Sequence, residues 1–166
     1  MLLHRAVDLL DSSHFGPVWA LLHGMDREIA ALYAEAGIGD VRTRFVGPVI
    51  QLSRHEPLTI QELADRVSVT HSAMSQTVAA MRRAELVDDA SNVDGRTRRI
   101  QLSARGRELV PFLAAEWRAT EKTVRELDAE VPYALTAVVE DIRRALEQRS
   151  FRDRLRANFA GERQDE

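Results

Sequence analysis

The sequence of 166 residues contains no cysteine. This absence excludes disulfide scaffolds, thiolate zinc clusters, iron–sulfur sites and regulation by thiol oxidation. The sequence also has no apolar run long enough for a membrane-spanning helix. The segment that follows Met1 lacks the apolar stretch of a signal peptide. We therefore expect a cytoplasmic protein.

Proline and glycine are scarce, with five prolines and eight glycines, and 45% of the residues are apolar. This composition is typical of a helical globular protein rather than a disordered one. The net charge of −3 argues against a generic polycation. Residues 54–107, however, contain nine arginines against seven acids. A basic middle between acidic flanks is a weak indication of a nucleic-acid surface, and chance unevenness of a solvated surface is the alternative.

The N-terminal part has apolar residues at helical spacing. The stripe over residues 18–32 predicts a long amphipathic helix that ends near Gly37. A second helix is expected over residues 41–53, and Pro48 inside it should kink it or leave a carbonyl free.

The sequence pattern of the C-terminal part also predicts helices. Ser103 is expected to cap a helix that extends to about Leu127. A last helix is expected to begin at Pro132, because proline suits the first helical position, and its apolar stripe continues to Phe159.

The middle of the chain carries sharper signals. Thr59 and Glu62 have the spacing of a capping box, which predicts a short helix over residues 60–66. Thr70 is expected to cap the next helix, which should extend to about Arg83.

Two extended runs follow, over residues 86–90 and 98–102. Between them lie Asp94 and Gly95, and an Asp-Gly pair between two extended runs is a strong hairpin signal. A short helix, a tight turn, a second helix and a hairpin together predict a winged helix-turn-helix.

The helix that begins after Thr70 has an unusual outer face. Met74, Val78 and Met81 should face the core. The opposite face carries short hydrogen-bonding side chains and ends in arginines: Ser72, Ser75, Gln76, Ala79, Arg82 and Arg83. Serine and glutamine can bond base edges in the major groove, and arginine can bond phosphates. We expect Thr70 and His71, at the helix start, to approach DNA too, and Arg96 and Arg98 of the hairpin to reach a neighbouring minor groove.

Four segments carry a resemblance to a known family: residues 58–64, 69–78, 86–87 and 94–103. In the last segment, five residues separate an Asp-x-Arg motif from a Leu-Ser pair. In these segments the chain resembles the MarR-type (multiple-antibiotic-resistance regulator) transcription factors of bacteria. The resemblance implies that Asp94 pairs within the wing and that Arg96 lies at the minor groove.

The resemblance further implies a homodimer on a palindromic operator, acting as a repressor that a small aromatic effector releases from DNA. Residues 1–52 and 104–166 would form the dimerisation region, and residues 53–103 the DNA-binding domain. The fold class is then mainly α with a small β wing, flanked by long N- and C-terminal dimerisation helices. In two places the chain departs from the family, because Ser68 and Glu85 stand where glycine is usual. A non-glycine residue at positive φ costs roughly 1 kcal/mol.

Candidate residues for an effector pocket are Trp19, His23, Phe45 and Trp117, although aromatic residues at helical spacing are more often core residues. No pair of histidines has metal-ligand spacing, so we expect neither a metal nor another cofactor.

Two other classes of function are the alternatives to DNA binding. The sequence contains no nucleophile elbow, phosphate loop or His-Glu-x-x-His motif, so an enzyme is not expected. The alternative is a winged-helix protein-interaction module or anti-repressor that does not bind DNA.

Overall fold

The computed structural model describes residues 13–90 and 98–162, which form two compact units. The first unit extends to Ala115 and the second begins at Glu116. Seven α-helices and two strands are present in the described ranges. In chain order they are α1 (Gly16–Glu35), α2 (Val46–His55), α3 (Ile60–Arg66), α4 (His71–Arg83), β1 (Val87–Asp89), β2 (Ile100–Leu102), α5 (Ala104–Glu130), α6 (Leu135–Gln148) and α7 (Phe151–Glu162).

The predicted mainly helical fold with a two-stranded antiparallel wing is confirmed. In the wing, Val87 pairs with Leu102, and Asp89 pairs with Ile100. Leu58, just before α3, exchanges two backbone hydrogen bonds with Ile100, at 3.0 and 2.7 Å. The hairpin is therefore bonded directly to the segment that enters the helix-turn-helix.

The core of the first unit lies beneath α3, α4 and the wing. These elements contribute side chains that are at most 2% exposed: Leu63, Met74, Val78, Met81, Ile100 and Leu102. Full burial of one such side chain is worth about 1.5–3 kcal/mol. The three residues predicted to face the core from α4 do so, and this burial determines which face of α4 remains outside.

The two helices of the helix-turn-helix end in the same way. After α3, the N–H groups of Ser68 and Val69 donate to the carbonyls of Asp65 and Ala64. After α4, the N–H groups of Glu85 and Leu86 donate in the same pattern. Both are Schellman motifs, which require a left-handed residue just after the helix.

That left-handed residue is Ser68 in one motif, with φ 57°, and Glu85 in the other, with φ 55°. Helix α1 ends in an equivalent motif with Gly37 at φ 75°. The helix ends at Ser68 and Glu85 therefore have the left-handed geometry that favours glycine. The non-glycine residues at these two positions are under backbone strain.

Replacing Ser68 by glycine is expected to raise the free energy of unfolding by about 0.5–1 kcal/mol, because the left-handed penalty outweighs the entropy that glycine adds to the unfolded chain. Denaturant unfolding at fixed protein concentration measures the change. Ala36→Gly is the matched control, since Ala36 caps α1 with φ −78°. Glycine there should lower stability by about 0.5–1 kcal/mol. A loss of stability in both variants would contradict the assignment of strain to Ser68.

Two sequence-based expectations about helix boundaries were wrong. Pro48 does not kink a helix, because a short 3-10 turn (Thr43–Phe45) precedes α2 and Pro48 lies in the first turn of α2. A proline there removes no intrahelical hydrogen bond.

The last helix does not begin at Pro132. Helix α6 begins at Leu135, whose N–H donates to the Asp128 carboxylate at 2.9 Å. The predicted single helix is also interrupted, and Ser150 caps α7 by accepting from the Asp153 N–H at 3.1 Å.

The second unit leaves much apolar surface exposed. No residue of α6 or α7 is buried. The exposed large side chains of this unit include Val138, Val139, Ile142, Phe151, Leu155 and Phe159. Contiguous apolar surface of this kind is typical of an interaction face.

Within the described ranges, no helix has the length and apolar character needed to cross a membrane.

Candidate nucleic-acid interface

Helix α4 presents the outer face that its sequence predicts. Its Thr70 cap accepts a hydrogen bond from the Ala73 N–H at 3.2 Å. Ser72, Gln76 and Ala79 are exposed, and Ser75 is half-buried. No acidic side chain occurs within α4. The outer surface of the helix is therefore made of short, uncharged, hydrogen-bonding groups until its last turn.

Helix α3, which packs against α4, begins with the predicted capping box. The Thr59 Oγ1 accepts from the Glu62 N–H at 3.1 Å, and the Glu62 carboxylate accepts from the Thr59 N–H at 2.7 Å. This backbone hydrogen bond, with the nearby charge of Arg99, lowers the pKa of Glu62 below its usual value. Arg99 also donates to the Pro57 carbonyl at 3.0 Å, so one arginine of the wing is bonded to the start of α3.

The arginines near α4 are not equivalent. Arg82 forms an ion pair with Asp89 of β1. Arg83 and Arg98 are exposed and have no ion pair within the part of the chain that the structure describes. Two cations beside α4 and the wing are therefore available to an anionic partner, and a third is already engaged.

The residues predicted at the tip of the wing, Asp94, Gly95 and Arg96, lie outside the described residues. The strands on either side are described, and the Ala90 N–H donates to the Arg99 carbonyl at 2.9 Å. The roles expected for the tip residues stay predictions.

Arg105 at the start of α5 links three elements, and the sequence analysis missed it. Its Nη1 donates to the Ala84 carbonyl at the end of α4, at 2.5 Å, and its Nη2 donates to Asp40 at 2.8 Å. The hydrogen bond from Arg105 lowers the pKa of Asp40 below its usual value. A cation near a helix C-terminus bonds carbonyls that have no intrahelical partner. No local sequence signal reveals this contact, since 65 residues separate Arg105 from Asp40.

The four aromatic and histidine candidates for an effector pocket differ in environment. Phe45 is 1% exposed and belongs to the core. Trp19 and His23 share a face of α1, with ring centroids 6.2 Å apart, and Trp19 is 61% exposed. Trp117 belongs to the second unit and is 48% exposed.

A surface pocket of about 440 Å³ opens between α1 and the segment before α2. Its lining includes four charged residues, Asp26, Asp40, Arg42 and Arg44, and none of the four predicted effector residues lines it. In residues 13–90 and 98–162, no group of three or more histidines and carboxylates is placed to hold a metal ion.

The comparisons with known proteins agree with this geometry. Residues 50–97 match the model of the MarR family. MepR of S. aureus, solved in a complex with DNA, has a TM-score of 0.60 at 15% identity, covering 83% of this chain and 97% of its own. The M. tuberculosis transcriptional regulator MOSR, also solved with DNA, has a TM-score of 0.51 at 24% identity, covering 78% of this chain and 92% of its own.

FabT of Streptococcus pneumoniae in complex with DNA has a TM-score of 0.54 at 13% identity, covering 79% of this chain and 90% of its own. No curated protein matches the sequence. The resemblance that the motifs indicated, and the winged helix fold, are confirmed.

Proposed function

We propose that this chain, whose residues 50–97 match the model of the MarR family, is a DNA-binding transcription regulator and not an enzyme. The observation that carries the proposal is the outer face of α4. Its side chains are mostly short and polar, and none is acidic. It lies beside a wing that is hydrogen-bonded to the segment that enters the helix-turn-helix. Such a helix suits the major groove, and such a wing suits the neighbouring backbone. DNA complexes of structurally similar proteins support the assignment.

The proposed contacts follow from side-chain chemistry. Ser72, Ser75 and Gln76 would contact base edges, with Thr70 and His71 at the helix start. The arginines of α4 and the wing would bond phosphates or enter the minor groove: Arg82, Arg83, Arg96 and Arg98. Asp94 and Gly95 would shape the wing.

We further propose that the protein acts as a homodimer on a palindromic operator. The exposed apolar faces of α6 and α7 support this, because a monomer would leave them in water. Exposed apolar residues of α1, such as Leu21 and Leu22, are further candidates for contact with a second copy. Residues 1–52 and 104–166 would then hold two copies of the DNA-binding domain, residues 53–103, about one turn of DNA apart.

The protein would act in the bacterial cytoplasm, where the DNA lies. Its binding would repress transcription by excluding polymerase from the promoter. A small aromatic effector would release the protein. Trp19 and His23 remain the favoured contacts for such a compound, because their rings are adjacent and accessible. Phe45 is a core residue and would not contact the compound directly.

Selection of bound sequences from a random duplex pool tests the function, with the salt dependence of the enriched site measured alongside. We expect a palindrome with half-sites about one helical turn apart and a steep salt dependence, because phosphate contacts release counterions. Absence of enrichment together with a flat salt response would favour a protein-interaction module instead.

Gln76→Ala is expected to lower discrimination between the selected operator and a random duplex by about 1–3 kcal/mol, while binding to the random duplex changes little. The reason is that Gln76 is exposed on α4 and carries a base-reading amide but no charge. Arg83→Ala is the control, since an exposed arginine that bonds phosphate should weaken binding to both duplexes equally. Equal losses for Gln76→Ala on the two duplexes would remove Gln76 from the base-reading surface.

A further inference from the structure

An acidic strand lies beside the last turn of the helix proposed to read DNA. Strand β1 contains Asp88 and Asp89, and both side chains are exposed. The Asp89 carboxylate accepts a hydrogen bond from the guanidinium of Arg82. The side chains of Arg82 and Asp89 are 37% and 60% exposed, so the pair faces solvent.

Both members of this pair lie on backbone that is hydrogen-bonded within a helix or a sheet. Arg82 lies in the last turn of α4, and its carbonyl accepts the Glu85 N–H at 3.0 Å. Asp89 is paired with Ile100 across the wing, and the next residue, Ala90, continues the hydrogen-bonded ladder. Because neither backbone is a loose loop, the carboxylate is positioned at the guanidinium before any DNA arrives.

The contact matters because one guanidinium bonded to a carboxylate is less available to a phosphate. Binding to DNA of arbitrary sequence is almost entirely electrostatic, whereas base readout adds discrimination. An acid that occupies a phosphate-binding arginine therefore reduces sequence-independent binding first. Arg83, the next residue, has no such partner among the described residues.

We propose that Asp89 is a specificity-determining residue that keeps Arg82 from phosphate and so limits binding to random DNA. The proposal rests on the proposed function, since it requires a protein that binds DNA. Asp89 would hold Arg82 both in the free protein and in weak complexes with DNA of arbitrary sequence.

Asp88 provides a matched control for net charge. It is adjacent to Asp89 in the same strand, and successive side chains of a strand point to opposite faces. Asp88 has no ion pair within the described part of the chain. Asp88→Asn and Asp89→Asn therefore remove the same charge, but only the second releases Arg82.

The test measures binding of wild type, Asp88→Asn and Asp89→Asn to a random duplex and to the selected operator over a range of salt. We expect Asp89→Asn to tighten binding to the random duplex by about two- to fivefold more than Asp88→Asn, the range set by exposed ion pairs. The salt dependence should steepen by about 0.9 in log–log slope, as for one added phosphate contact. The ratio of specific to random affinity should fall.

A second set of measurements changes Arg82, the other member of the ion pair. In the wild-type background, Arg82→Gln should weaken binding to the random duplex less than Arg83→Gln does, because Arg82 is already occupied. In the Arg82→Gln background, Asp89→Asn should lose its advantage over Asp88→Asn.

Equal effects of Asp88→Asn and Asp89→Asn in a wild-type protein that binds DNA would overturn this inference alone, since net charge would then explain both. An advantage of Asp89→Asn that persists without Arg82 would overturn it as well. A wild-type protein that binds neither duplex in a salt-dependent way would overturn the proposed function together with this inference.

Discussion

Replacing Gly106 by alanine is expected to lower the free energy of unfolding by about 3 kcal/mol, at the upper end of the cost of overpacking. A Cβ on Gly106 would lie 2.2 Å from the Leu86 carbonyl oxygen and 3.1 Å from its carbon. Because the added Cβ would meet backbone atoms of Leu86 and not a flexible side chain, the backbone itself would have to shift. The Leu86 carbonyl also accepts the Ser103 N–H at 3.0 Å, which joins the start of α5 to the strand that follows α4.

Denaturant unfolding at fixed protein concentration measures this effect, and Gly161→Ala serves as control. Gly161 lies in the last turn of α7, and a Cβ there would meet nothing within 4 Å. Alanine should leave stability unchanged at this position or raise it by up to about 1 kcal/mol, as helix propensity predicts. Equal stabilities of the two variants would show that α5 does not need its close approach to Leu86.

Replacing Ile142 by glutamate is expected to raise the dissociation constant of the proposed dimer by about 100-fold or more, because burying an unpaired carboxylate costs several kcal/mol. Ile142 lies on the apolar stripe of α6 with Leu135, Val138 and Val139, and it is 46% exposed in the single chain. Sedimentation over a range of concentrations measures the change. Affinity for a palindromic operator should fall in parallel, while affinity for a half-site should not.

Ala137→Glu is the matched control for this substitution. Ala137 is exposed on the opposite side of α6 and receives the same added charge. It should leave the dimer intact. A dimer that tolerates glutamate at Ile142 but not at Ala137 would mean that the apolar stripe of α6 packs elsewhere.

The features that sequence predicted well depend on neighbours within one or two turns. The capping box of Thr59 and Glu62 and the Thr70 cap are local hydrogen bonds, so their spacing alone places α3 and α4. The burial of Met74, Val78 and Met81 follows from helical periodicity in the same way. The outward face of α4 is then determined as the complement of its buried face.

The features that sequence did not predict depend on partners far along the chain. Asp128 takes over the capping role at the start of α6, which moves that boundary away from Pro132. In the sequence, Gly106 indicates only a residue with low helix propensity inside α5. The structure shows that the Leu86 carbonyl lies against its backbone and leaves no room for a side chain. The sequence does contain a local signal for the break before α7, because Ser150 and Asp153 have the spacing of a helix N-terminus.

The two backbone hydrogen bonds between Leu58 and Ile100 have a mechanical consequence. They form an isolated antiparallel bridge between the two-stranded wing and the residue just before Thr59, the cap of α3. A tilt of the wing strands relative to the start of α3 would have to break both bonds. In the proposed dimer, a change in the distance between the two DNA-binding domains would leave these bonds intact, whereas a change in the angle of a wing would not.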